Sequence, residues 1–209
     1  MKLEYVCPTL NRSAGLARLQ ETVDGPLRVW HESGPRPLPV IYREMLASSN
    51  ADVCVILADH LVVQSGCRAA LELAFELHFP DLDGVVGLNR TNVTDLVRDG
   101  VNYGIYGHVA IGRGFMDRFV DRQCHCPDYD HFYSDTELGL YAQGEGRFQY
   151  AEGAKVFTYH PNVGNVEADA THVASRVHRA TDDAMWRARR ERGLLWGKTF
   201  ELLGRRSRT

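Results

Sequence analysis

The stretch Val53-Cys54-Val55-Ile56-Leu57-Ala58-Asp59-His60 decides how this chain is read. Its apolar residues follow one another without alternation. That is the pattern of a strand covered on both faces, as in the middle of a parallel sheet. The run ends abruptly in Asp59-His60, two side chains able to hold a metal ion or a hydroxyl. In open α/β sheets ligands bind in the crevice at the carboxyl ends of the strands. An acid at the tip of a central strand therefore stands where chemistry takes place. Asp also closes turns, because its carboxylate bonds nearby backbone amides, and this stretch alone serves both readings.

Working outward, the segments before it alternate in type. Residues 3–9 read as a first strand, ended by Pro8. Leu16, Leu19 and Val23 recur at helical spacing over 14–23. A turn at Asp24-Gly25-Pro26 leads to a strand at 27–30, then to the Pro-rich loop 33–39. Ile41, Met45 and Leu46 lie on one face of a helix over 40–48. After the central stretch, a helix is expected from Ser65 or Gly66 to about His78, and a short buried strand over 85–89. The order β-α-β-α-β-α-β predicts a mostly parallel sheet flanked by helices.

The second half changes character. Residues 103–112 are Gly-rich and aromatic, which predicts a strand approached closely by a backbone or a ligand. A short helix with Phe115 and Phe119 follows. Ser134 precedes Glu137 by three residues, the spacing of a capping box, so a helix is expected to open there. Strands are expected at 148–151 and 155–159 around a Gly153 turn. A long polar helix is expected from Thr171 to about Arg192, followed by a basic tail.

Composition bounds the class. A chain of 209 residues buries one substantial core, and 44% hydrophobic with 24% charged residues is ordinary for a globular protein. Five cysteines, an odd number in apolar contexts, fit reduced thiols in a cytosol. No apolar h-region follows Met1 and no run of about 18 apolar residues occurs, so neither a signal peptide nor a membrane span is expected. Cys124-His125-Cys126 with His131 lacks a second matching pair and makes a poor zinc signature.

Three clusters end predicted elements: Asp59-His60, Asp135 and His160. Together with their neighbours they resemble the GT-A glycosyltransferases, in particular the inverting family 2-like enzymes, which include bacterial and phage members. Pro8-Thr9 after the first strand is similar to the family's opening motif beside the nucleotide. Residues 56–63, followed by Gly66, are similar to the strand entering its acidic metal motif. Gly107 to Arg113 is similar to the small-residue strand along the acceptor. Ser134-Asp135-Thr136-Glu137-Leu138 is similar to the helix start carrying the catalytic base, and His160-Pro161 to the histidine that completes the metal site.

The resemblance implies a GT-A (Rossmann-like) domain over residues 1–165 with a helical basic extension over 166–209. It implies a nucleotide-sugar donor, a UDP-sugar first among them, bound by Pro8, Thr9, Asp59, His60 and Gly107. It implies Mn²⁺ or Mg²⁺ held by Asp59, His60 and His160, and Asp135 as the base that takes the proton of a hydroxyl acceptor, with inversion at the anomeric carbon. The family carries a second acid where this chain has His60, and imidazole there favours a transition metal over Mg²⁺.

Arg187, Arg189, Arg190, Arg192, Lys198, Arg205, Arg206 and Arg208 outnumber the acids of the same interval. Such a run serves as a solvated face, as an arm tracking a polyanion, or, with the apolar residues among it, as a contact to an anionic membrane surface. Two functions of different class follow. One is a cytoplasmic, metal-dependent inverting glycosyltransferase whose acceptor includes modified DNA, in a host cytoplasm if phage-encoded. The other is a catalytically degraded GT-A-like module that binds nucleic acid or another polyanion.

Overall fold

The computed structural model describes residues 1–198 apart from 11, 35, 94–96 and 99. The expected tail beyond residue 198 lies outside the described residues. In order, the elements are β1 (Leu3–Thr9), α1 (Ser13–Thr22), β2 (Leu27–His31), α2 (Leu38–Ala47), β3 (Val53–Ile56), β4 (Leu61–Val63), α3 (Cys67–His78), β5 (Val85–Arg90) and the small pair β6 (Val97–Arg98) and β7 (Val101–Asn102). Then follow β8 (Val109–Gly112), α4 (Arg113–Met116), α5 (Ser134–Gly144), β9 (Phe148–Thr158), α6 (Ala170–Ser175) and α7 (Arg179–Glu191).

The main sheet runs β2-β1-β3-β8-β5-β9-β4. Its interior strands are buried on both faces, which is why β3 shows no alternation. Val53 and Val55 join one core with Leu3, Tyr5, Leu19, Leu71 and Phe75. Cys54 and Ile56 join the opposite core with Val6, Ile41, Met45, Phe115 and Leu138. Helices α1 and α3 cover the first face; α2, α4 and α5 cover the second. Each large aliphatic or aromatic side chain so buried stabilises the fold by roughly 1.5–3 kcal/mol relative to exposure.

The α/β layering and the mostly parallel sheet agree with the sequence reading: β1, β2, β3, β5 and β9 run in one direction, and β8 and β4 run against them. The β1-β2, β1-β3 and β5-β9 pairs are parallel. The β3-β8, β5-β8 and β4-β9 pairs are antiparallel. The expected strand over 103–112 shrinks to β8, which slots between β3 and β5 and reverses direction there.

The two strands expected around Gly153 form one strand, β9. Its register against β5 jumps from Leu88↔Ala151 to Asn89↔Lys155, so Glu152, Gly153 and Ala154 bulge out while the chain continues. The far half of β9 then pairs with β4, directly after Asp59-His60. The Tyr159 amide donates to the His60 carbonyl at 2.8 Å. This pairing brings His160 to His60 from a hundred residues away.

The expected capping box at Ser134 does not form. Tyr133 is the N-cap, in the left-handed region at φ 68°, and no side chain caps the helix. Glu137 is held elsewhere, as described below. The expected helix over 171–192 is α6 and α7 joined by a single tight turn at Arg176–His178. Among the described residues no helix is long and apolar enough to cross a membrane.

Candidate active site

Beyond the end of β3 the chain turns at Asp59, which is 5% exposed. Gly15 lets α1 pack on this turn: a Cβ there would lie 2.4 Å from the Asp59 carbonyl oxygen. Both carboxylate oxygens are engaged. Thr9 Oγ1 donates to Oδ2 at 2.7 Å, and Arg12 Nη1 donates to Oδ1 at 2.9 Å. Arg12 also donates from Nε to Asp169 Oδ2 at 2.8 Å, and its Nη2 lies 3.0 Å from His172 Nε2. Asp169 is the N-cap of α6 and forms a capping box with His172.

An array of imidazoles adjoins this network. Ring centroids of His60 and His160 are 5.0 Å apart, His60 and His108 6.0 Å, and His160 and His172 4.7 Å. Burial, reinforced by His108, His160 and Arg12, pushes His60 well below the ordinary imidazole value. Burial and the Arg90 charge push His108 down to about 3. Burial, His172 and Arg12 push His160 down to about 4. These rings are neutral near pH 7.

The sequence assigns Asp59, His60 and His160 to one cation, and the structure brings them to one end of the sheet. Their donor atoms do not fit a metal. Asp59 already accepts a hydrogen bond on each oxygen, from Thr9 and from Arg12. His160 Nδ1 accepts from the Asn162 amide at 3.1 Å, so a neutral His160 carries its proton on Nε2. A histidine ligating through Nε2 shows the reverse, a protonated Nδ1 that donates. Among the described residues no group of three or more His, Cys, Asp or Glu is arranged to hold a metal ion. Cys124 and Cys126 are buried and free, and His125 packs on Tyr42 at 4.6 Å.

Asp135 lies in the first turn of α5, on a cavity of about 710 Å³ that also takes in Arg90, Gly107, Tyr133 and Arg179. Its Oδ1 accepts from the Thr136 amide at 2.7 Å and from Thr136 Oγ1 at 3.3 Å. No partner holds Oδ2 among the described residues. Burial raises the Asp135 carboxyl above its ordinary value, against the lowering pull of the Thr136 amide and the Arg90 charge.

Arg90 ends β5 and lies against Gly107, where a Cβ would sit 3.2 Å from the guanidinium carbon. Its Nη2 donates to the Gly104 carbonyl at 2.9 Å, while its Nε is buried without a partner among the described residues. Burial lowers the Arg90 value and the Asp135 charge opposes that.

The neighbouring acids are committed to holding the fold. Glu137 is fully buried and receives Arg189 Nε at 2.6 Å, Arg189 Nη2 at 3.0 Å, Tyr129 Oη at 2.8 Å and the Trp196 amide at 3.0 Å. Asp128 pairs with Arg189 at 2.8 Å and Asp130 with His178 at 3.1 Å. Asp182 accepts the backbone amides of Asp130, His131 and Phe132 at 2.8–3.0 Å, which fixes the loop that delivers Asp135.

Sequence reasoning missed Arg12, Arg90, Asp169, Asp182 and Arg189. Arg90 had a readable signal, since it follows a buried apolar run as Asp59 does. Arg189 was counted in the solvated, polyanion or membrane-facing charge run, yet it is buried in an ion pair. Trp186 is buried and packs on Tyr133, with rings stacked at 5.4 Å.

No protein-family model and no curated protein matches the sequence. Solved structures match the fold. The mannosyltransferase PcManGT from Pyrobaculum calidifontis, in complex with GDP-Man and Mn²⁺, aligns with TM-score 0.58 and 13% identity over 86% of this chain and 61% of its own. S. aureus TarS aligns with TM-score 0.56 and 11% identity over 78% and 62%. The Drosophila β-1,4-galactosyltransferase 7, in complex with manganese, UDP-Gal and xylobiose, aligns with TM-score 0.54 and 8% identity over 84% and 79%. The chain spans about three fifths of the length of the first two. At such identities the likeness is one of architecture. This chain has the GT-A glycosyltransferase fold.

Proposed function

We propose that this protein transfers a sugar from a nucleotide-sugar donor to a hydroxyl acceptor, with inversion at the anomeric carbon and Asp135 as general base. The observation that carries this reading is the state of Asp135. It faces a cavity with one oxygen fixed by Thr136 and the other without a partner among the described residues, while Glu137, Asp128 and Asp130 are tied up in structural pairs. A carboxyl raised by burial is a stronger proton acceptor than an ordinary surface carboxylate.

In the reaction the acceptor oxygen attacks the anomeric carbon from the face opposite the diphosphate. The bond from that carbon to the phosphate oxygen breaks, and its electron pair leaves with the nucleoside diphosphate. The acceptor proton passes to Asp135. A single displacement of this kind inverts the anomeric configuration. Pro8 and Thr9 end β1 beside Asp59, which supports a donor seat between the ends of β1 and β3. Gly107 belongs to the Asp135 cavity. The five cysteines are all free and buried, which supports work in a reducing cytoplasm.

UDP- and GDP-sugars are the donors to try first, the two nucleotides carried by the neighbouring folds. Acceptors to try are glycans and hydroxyl-modified DNA. The test is release of nucleoside diphosphate in a panel of these pairs, followed by NMR of the product. Turnover that disappears in Asp135→Asn, with an inverted anomeric centre, supports the reading. Retention of configuration, or full turnover by Asp135→Asn, overturns it.

A further inference from the structure

We propose that Arg12, seated on Asp59, supplies the positive charge that balances the leaving diphosphate, in the place where the sequence motif leads one to expect a divalent cation. This rests on the glycosyltransferase reading above and adds to it the means of leaving-group stabilisation.

The seat is that of a cation. Asp59 is buried at the end of β3 and meets a guanidinium at 2.9 Å on one oxygen, with Thr9 on the other. Asp169 fixes Nε of the same guanidinium at 2.8 Å. Arg12 is therefore held from two sides by carboxylates, and only 19% of its side chain is exposed. A guanidinium matches the oxygens of a phosphate in pairs.

The donor set around it argues the same way. His60 stands where a second acid is expected and carries no negative charge to offset a dication. His160 presents its Nδ1 lone pair to the Asn162 amide instead. The third contact of Arg12, from Nη2 to the neutral His172 ring, is the weakest of its set. It is the one a phosphate oxygen replaces. Arg90, at the end of β5, is a second guanidinium beside the same imidazoles, and its buried Nε–H is still to be satisfied.

In the transfer step the bond between the anomeric carbon and the phosphate oxygen breaks. The electron pair stays on that oxygen, so the nucleoside diphosphate gains one negative charge. The new carbon–oxygen bond forms to the acceptor, whose proton goes to Asp135. Arg12 keeps its protons throughout and turns its Nη2–H toward the phosphate.

Calorimetry with UDP and GDP, in EDTA and in Mn²⁺, tests the assignment on the intact chain. We expect binding in EDTA that added Mn²⁺ changes by less than about threefold. Arg12→Met is expected to weaken it by on the order of tenfold to a hundredfold, the effect of losing a charge-assisted pair. Arg12→Lys, which keeps the charge but not the fork, is expected to lie between and serves as the readout if Arg12→Met does not fold. Asp59→Asn separates the models further: a metal site loses its nucleotide, whereas here Arg12 is freed to meet the phosphate and affinity in EDTA holds or rises. Binding that requires Mn²⁺ overturns the assignment and leaves the glycosyltransferase reading standing. So does metal-free binding that survives the loss of Arg12. Failure to bind either nucleotide under both conditions overturns this assignment and the parent reading together.

Discussion

Arg189 Nε donates to Glu137 Oε1 at 2.6 Å across a sequence separation of 52 residues, with Glu137 fully buried. The pair ties α7 to the first turn of α5, two residues from Asp135. Cutting one partner of a buried pair costs about 3–5 kcal/mol, and without Glu137 the buried Arg189 keeps only the half-exposed Asp128 among the described residues. Glu137→Ala is therefore expected to lower the thermal midpoint on the order of 10 °C. A calorimetric scan that matches wild type removes Glu137 from this structural role.

Asp135→Asn separates chemistry from stability. The turnover rate is expected to fall about 10²–10⁴-fold through loss of the base. Nucleoside diphosphate affinity is expected to hold, because Asp135 lies on the cavity lined by Arg90 and Arg179 and outside the Arg12 network. Stability is expected to hold or rise, since the native state disfavours the charged form of this carboxyl. Steady-state kinetics, titration calorimetry and a melt on one preparation check all three.

The pH profile carries a sign. Burial raises the Asp135 carboxyl, so it takes up its proton at a pH above that of an ordinary Asp, about 4. The base is present above the raised value and is lost as pH falls through it. The acid limb of kcat/KM is expected above about pH 4 and is expected to vanish from the residual activity of Asp135→Asn. A limb at the ordinary carboxylate value, unchanged in the variant, counts against the assignment.

Asp182 orders the loop before Asp135 by accepting three consecutive amides. Asp182→Ala strands those amides and is expected to cost about 1–3 kcal/mol for each one left without a partner or water. Urea titration reads the loss of stability. Turnover is expected to fall less than in Asp135→Asn, with nucleotide affinity unchanged. A larger kinetic loss than Asp135→Asn gives places Asp182 in the chemistry.

Gly15→Ala probes the close approach of α1 to the Asp59 turn. The added methyl would lie 2.4 Å from a backbone oxygen, so the helix has to move. Arg12 caps that helix and moves with it. Weaker nucleoside diphosphate binding with the fold intact is the expected outcome, read by calorimetry beside a melt; unchanged affinity shows that Arg12 does not depend on this contact.

Some of this molecule is written in local residue order. The unbroken apolar run of β3 reads directly as burial on both faces, because burial depends on residue type and the period of the strand. Asp59 at its tip, and Asp135 at a helix start after an aromatic loop, are legible for the same local reason. The direction of β8 is not: a strand covered on both faces has the same composition whether its neighbours run parallel or antiparallel. Nor is the fate of a charged side chain. Glu137 has capping-box spacing from Ser134, yet Arg189 claims it from α7. Asp59 has the place of a metal ligand, yet Arg12, Asp169 and His172 converge there from opposite ends of the chain. An ion pair is chosen by proximity in space and by the cost of leaving a buried charge alone, and only the tertiary structure decided those partners.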